Sequence, residues 1–195
     1  MLALTSKIKN FSRSNKIPVF FIELLLFYLL WNFLDGYLIA HSHLFDRIWM
    51  GMYHILLKSV MFMSVLITKI FTDVQITTTY RHIILGDFGS IGISNYCLCA
   101  NLMFLFGAFI IAYPGKWKIK LWFIPLGIVI IHLLNTFRIS ALCLLKIYSP
   151  ETLEINHHYI FNIILYAFVF IMWMIWITRL SGEGILKRKL SEGKE

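Results

Sequence analysis

A thiol, a guanidinium and a pair of imidazoles lie on three successive apolar stretches of this chain, and the spacing sets them at one depth. Cys97 stands at the head of CLCANLMFLFGAFIIAYPG, Arg138 lies far along the apolar run that follows, and His157 and His158 open the last such run. Nucleophilic thiol chemistry needs these three kinds of group: a thiol that ionises, a proton carrier, and a cation to hold developing negative charge. His158 is placed to take the thiol proton and return it to a leaving amine. Arg138, charged at any accessible pH, is suited to an acyl-transfer oxyanion. Asn135 lies three residues before Arg138, hence on the same helical face, where it can orient the guanidinium or a substrate carbonyl.

The elements that must position these groups belong in a bilayer. With 59% hydrophobic residues and a mean hydropathy of +0.75 over 195 residues, the chain is far more apolar than a soluble domain. No internal repeat, low-complexity tract or linker divides it, so a single integral membrane domain over residues 1-195 is expected. The net charge of +8 does not point to nucleic acid, because Lys and Arg gather at the ends of apolar runs, as they do in the inner loops of membrane proteins. The bilayer is the expected partner.

Residues 17–34 are nearly all apolar and follow Lys7, Lys9, Arg13 and Lys16. Residues 97–113 form a second span ending at PGKWKIK, residues 120–148 a third closing at Ser149-Pro150, and residues 158–178 a last one before the basic tail, 179-195. These flanks place both termini in the cytoplasm and Cys97 at the outer face of a multi-pass inner-membrane protein. Arg138, about 27 Å along its helix from Lys120, reaches the outer edge of the hydrocarbon at the same level.

Residues 45–71 must then cross an even number of times. Arg47, His54, Lys58 and Lys69 fall on one narrow helical stripe, which favours an amphipathic helix in the outer interface or dipping into the bundle over a full crossing. The stretch VQITTTYRHIILGDFGSIGIS, rich in Thr, Ile and Val and broken by Gly86 and Gly89, reads as a short outer-surface β-hairpin leading into Cys97. The expected fold class is therefore all-α: a polytopic membrane helix bundle with a short hairpin before the cysteine.

Each group has a plainer role beside the chemical one. A cysteine in an apolar helix is usually a small hydrophobe, an arginine near a membrane boundary can snorkel, and histidines at a helix start can sit in the interface. Cys143 reads as packing, and His132 as a partner for a neighbouring helix. Three cysteines suit neither a disulfide framework nor paired zinc knuckles. A metal-handling protein using Cys97, Cys99, His157 and His158, with His41 and His43, is an alternative from another class, opposed by the cation at Arg138. No cofactor or metal is expected for the thiol reading.

The ordered set of Cys97 opening one span, Asn135-Thr136-Phe137-Arg138-Ile139 on the next, and His157-His158-Tyr159-Ile160-Phe161-Asn162 opening the one after resembles the signature of the exosortase/archaeosortase family of membrane-embedded cysteine transpeptidases. The match covers about residues 74-178. The resemblance implies cleavage of a C-terminal sorting signal on membrane-tethered secreted proteins through a thioester, with Cys97, Arg138 and His158 catalytic and Asn135 and His157 supporting. Spacing to Phe161-Asn162 favours His158 over His157. One departure concerns Cys99, which stands where that family has glycine. A non-catalytic, exosortase-like assembly subunit is a further alternative that this departure permits.

Overall fold

The computed structural model describes residues 16–33 and 43–181, and of residues 16–21, 23, 24, 43–46 and 158 the backbone only. Five helices and a small sheet make up the fold. Helix α1 spans Lys16–Phe33 and α2 His43–Phe71; strands β1 Ile76–Thr78, β2 His82–Leu85 and β3 Ser90–Gly92 follow; then come α3 Ala100–Ala112, α4 Trp117–Tyr148 and α5 Phe161–Ile175, which continues into a π-helical turn at Trp176–Leu180. Three helical segments are long and apolar enough to cross a membrane: Arg47–Phe71, Trp117–Tyr148 and Phe161–Leu180.

Polar contacts fix the directions of the helices. Ser59 Oγ lies 2.9 Å from His132 Nε2, Ser64 Oγ donates to the Thr136 carbonyl at 3.2 Å, and the Tyr148 hydroxyl donates to the Phe71 carbonyl at 3.2 Å. Positions on α2 and α4 rise together, so the two helices run parallel. Helix α3 turns into α4 at Tyr113–Lys116, where Lys120 Nζ reaches back to the Ile111 carbonyl at 2.7 Å. Helix α5 descends beside α4 until Trp176 meets Phe123 at a ring separation of 5.3 Å. From α2 onward the helices alternate in direction.

Residues 43–71 thus form one continuous helix lying along α4, running once from end to end of the bundle. This departs from the expected interfacial helix and from the even number of passages. The reason lies in what covers the polar stripe. His54 and Lys58 line clefts against Thr78, Thr79 and Tyr80 of the β1–β2 turn, with the His54 and Tyr80 rings 5.8 Å apart. The middle of the stripe, at His54 and Lys58, faces the sheet instead, while Arg47 and Lys69 are exposed. Of the basic residues flanking α1, Lys7, Lys9 and Arg13 and the side chain of Lys16 lie outside the described residues.

The expected hairpin is a three-stranded antiparallel meander. Ile76 pairs with Leu85 across β1 and β2, and His82 with Gly92 across β2 and β3. Gly89, at φ 93°, takes the backbone through a conformation that L side chains rarely adopt. Ile76, Ile83, Leu85 and Ile93 are buried against Leu57, Val60 and Met61 of α2 and Ile139 and Leu142 of α4. Helix α4, at about 48 Å, exceeds a hydrocarbon core of about 30 Å, and the sheet packs on its C-terminal half at Ile139 and Leu142.

A second cluster occupies the other half of the bundle, where Phe106, Phe109, Phe123, Ile131, Val169 and Trp176 meet. Glycine makes this packing possible. A Cβ on Gly127 would stand 2.1 Å from the Phe106 ring, itself fully buried, whereas one on Gly51 would meet nothing within 4 Å. Small residues let transmembrane helices approach closely. Gly127→Ala should therefore lower the thermal unfolding midpoint in detergent despite alanine's better helix propensity, since overpacking costs about 1–3 kcal/mol. Gly51→Ala should leave the midpoint unchanged or raised.

Candidate active site

The sheet hands the chain to α3 through a tight turn that carries both cysteines. After Ser94 the backbone makes a 3-10 turn at Asn95–Leu98, with the Cys97 amide donating to the Ser94 carbonyl at 3.0 Å. Cys99 follows in the left-handed conformation, φ 57° and ψ 22°. Helix α3 begins at Ala100, where the Met103 amide donates to the Cys99 carbonyl at 3.0 Å. Arg81 ties the turn to the sheet through an Nη1 donation to Asn95 Oδ1 at 2.8 Å.

This geometry changes two expectations. Cys97 does not open the helix but precedes it by three residues, so the helix dipole acts first on Cys99. The view that two cysteines spaced i, i+2 on a helix diverge by about 200° does not apply either, because a left-handed residue interrupts the helical path. Both reach the same segment of α4. Leu98, between them, is buried, and the thiols are each half-buried. Cys97 packs against the cluster under the sheet and Cys99 against the bundle cluster, so the turn sits at the seam between the two.

Asn135 holds that seam. Fully buried, it donates from Nδ2 to the Cys97 carbonyl at 2.8 Å and accepts from Cys99 Sγ at Oδ1 at 3.2 Å. Cys97 Sγ receives a hydrogen bond from Ser94 Oγ at 3.3 Å, a donor that a thiolate also accepts. Arg138, one turn beyond Asn135, is 8% exposed. Its guanidinium lies near enough to the Cys99 thiol to act on it as a charge, while its buried Nε has no hydrogen-bond partner. The structure therefore brings Cys97, Cys99, Asn135 and Arg138 together.

The histidines arrive at the same end of the bundle. Pro150–Thr152 and Leu153–Ile155 form short helical turns after α4, and His157 and His158 sit on a π-helical turn at Asn156–Ile160. Phe161, the next residue, packs on the cluster holding Leu98, Ile139 and Leu142. His157 is half-buried; the side chain of His158 lies outside the described residues. Single π turns occur disproportionately at functional sites.

Residues singled out for plainer roles fall into place. Cys143 is fully buried among apolar side chains, and His132 pairs with Ser59 of α2. Among the described residues, no three of His, Cys, Asp or Glu gather as metal ligands; His41 and the His43 side chain lie outside that set. Ser94 and Arg81 were not anticipated. Ser94 had a signal in ISNYC, a hydroxyl three residues before the thiol, but Arg81 had none, since its partner is set by strand register.

Comparison of the chain with family models, curated proteins and solved structures finds no match in any of the three. The reading of the site rests on its own chemistry.

The left-handed residue gives a direct test. Such a conformation costs an L side chain roughly 1–2 kcal/mol that glycine avoids. Both Cys99→Gly and Cys99→Ala lose the hydrogen bond to Asn135, so Cys99→Gly should be the more stable by about 1 kcal/mol in thermal unfolding. Asn135→Leu should lower stability by about 1–3 kcal/mol, leaving the Cys97 carbonyl unpaired, and should speed maleimide labelling of Cys97 as the turn loosens.

Proposed function

We propose that this chain is a membrane-embedded cysteine protease and transpeptidase that cleaves the C-terminal sorting signal of membrane-tethered secreted proteins through a thioester. The observation that carries the reading is a buried arginine with an unfilled Nε donor near the Cys99 thiol, on a turn whose Cys97 carbonyl and Cys99 thiol are both held by Asn135. A buried cation of that kind is costly unless something pairs with it. An oxyanion formed during acyl transfer supplies that partner at the moment it is needed. The order Cys97, Asn135-x-x-Arg138-Ile139, His158, which resembles that of the exosortase/archaeosortase family, supports the same chemistry.

Cys97 acts as the nucleophile. Its thiolate attacks the scissile carbonyl, a carbon–sulfur bond forms, and the negative charge of the tetrahedral species falls to Arg138. His158 takes the thiol proton and passes it to the amine as the carbon–nitrogen bond breaks. An acceptor nucleophile then attacks the thioester and releases Cys97. Ser94 steadies the sulfur, and Cys99, hydrogen-bonded to Asn135, is a positioning residue. The thiols and the sheet face the outer side, while Lys116, Lys118 and the C-terminus face the cytoplasm, in keeping with the placement of basic residues.

The test is processing of a sorting-signal substrate in cells at matched protein levels. Cys97→Ala and Cys97→Ser should abolish cleavage. Arg138→Lys should be severely impaired, because an ammonium lacks the planar fork of donors and loss of such a donor raises the barrier by roughly 3–4 kcal/mol. His158→Ala should slow the reaction about a hundredfold to ten-thousandfold, and Cys143→Ser should remain active. Full processing by the Cys97→Ala, Cys99→Ala double variant would reject thiol catalysis at this site.

A further inference from the structure

A lateral groove of about 820 Å³ opens between α1, α2 and α3. Its walls are almost wholly apolar: Trp31 from α1, Trp49, Met52 and Ile55 from α2, and Phe104 and Ala108 from α3. The tilted rings of Trp31 and Phe104 have centroids 4.1 Å apart and those of Trp31 and Trp49 5.0 Å apart, so the aromatic wall is itself packed. Gly51 lines the floor and presents open space where a side chain would be. The groove runs from Ala100 to Ile111 along α3, about 16 Å at 1.5 Å per residue.

One charged residue lines it, Arg47, and it stands at one end. Arg47 lies twelve residues before Ser59 on α2, and Lys120 twelve before His132, the partner of Ser59 on the parallel helix α4. Arg47 is therefore level with the start of α4, the end of the bundle where Lys116 and Lys118 are exposed. The opposite end of the groove, at Ala100, adjoins the thiol turn. A slot that is apolar along its length and cationic at one mouth matches an amphiphile with an acyl tail and an anionic head.

We propose that this groove binds an anionic phospholipid, with an acyl chain along α3 and the phosphate at Arg47. A transmembrane helix of a protein partner fits less well. The groove is about half the length of a bilayer span, and a helix with the basic end usual on the cytoplasmic side would meet Arg47, Lys116 and Lys118 with like charge. The bound lipid is distinct from any acceptor of the thioester, because its head lies at the far end of the bundle from Cys97. The inference does not depend on the proposed reaction.

The experiment is native mass spectrometry of the full chain in detergent, titrated with dioleoyl phosphatidylglycerol and separately with dioleoyl phosphatidylcholine. Wild-type protein should retain one phosphatidylglycerol in preference to phosphatidylcholine. Arg47→Gln should weaken the phosphatidylglycerol adduct about fivefold, the equivalent of one basic residue at an anionic surface. Gly51→Leu, which fills open space without a clash, should remove the adduct while leaving the helical circular dichroism and melting temperature unchanged. Equal retention by wild type and Gly51→Leu would overturn the proposal, as would retention insensitive to Arg47→Gln. Displacement of the lipid by a hydrophobic transmembrane peptide, with that peptide lost in Gly51→Leu, would assign the groove to a protein helix instead.

Discussion

The Asn135 side chain is the constraint on which the site depends. A buried amide must satisfy a carbonyl and an NH2 group, and here Cys99 Sγ and the Cys97 carbonyl, two positions apart on the chain, engage them. Those two contacts fix the path of the backbone between the sheet and α3. They dictate the left-handed turn at Cys99, which in turn decides where both thiols stand. Each hydrogen bond contributes only about 1 kcal/mol net. The larger effect is asymmetric: any other path would leave the amide unsatisfied inside an apolar bundle, and that penalty selects one geometry from several of similar packing energy.

Arg138 adds a second constraint of opposite sign. A guanidinium removed from water carries a penalty that the surrounding contacts only partly offset, and the Nε without a partner shows that the offset is incomplete. The neighbouring turn tolerates this because Asn135 and the two hydrophobic clusters hold its position on either side. Strain of this kind is stored where the fold over-determines the geometry. In the proposed reaction the stored cost is an advantage, since the cation is already desolvated and oriented when negative charge appears. The left-handed Cys99 belongs to the same economy of strain, and it occupies the place where the resembled family has glycine.

Much of this was legible in the sequence, for identifiable reasons. Hydrophobic run lengths located residues 120–148 and 158–178 because the bilayer imposes length and polarity on a span, whereas the run at 97–113 holds a shorter apolar helix, Ala100–Ala112, of 13 residues. The Thr- and Ile-rich stretch before Cys97 announced strands, and the three-residue spacing of Asn135 and Arg138 put both on one helical face. The misreadings came from tertiary contacts. The stripe of Arg47, His54 and Lys58 is the same whether headgroups or a sheet lie against it, and only the fold back of the β1–β2 turn shows that Tyr80 and Thr79 cover part of it. The relation of the two cysteines was misjudged because helical geometry was extended through a residue at φ 57°. Nothing in CLC marks that turn; the marker would have been the glycine that is missing.

The two halves of the molecule then divide the work by solvent. The sheet carries exposed turns and packs on the C-terminal half of α4, whereas the groove beside α3 is apolar. Cys97 packs against the cluster under the sheet and Cys99 against the bundle cluster, and in the proposed reaction that seam is where a substrate chain would meet both an apolar and a polar environment. A thiol deeper among Phe106, Phe123 and Trp176 would meet substrate in a medium that resists ionisation and excludes acceptors. A thiol on the outer strands would lose the cation. In the proposed reaction the seam is the level at which an apolar anchor, the Arg138 cation and a polar acceptor would meet, and Asn135 on α4 holds the turn there through the Cys97 carbonyl and the Cys99 thiol.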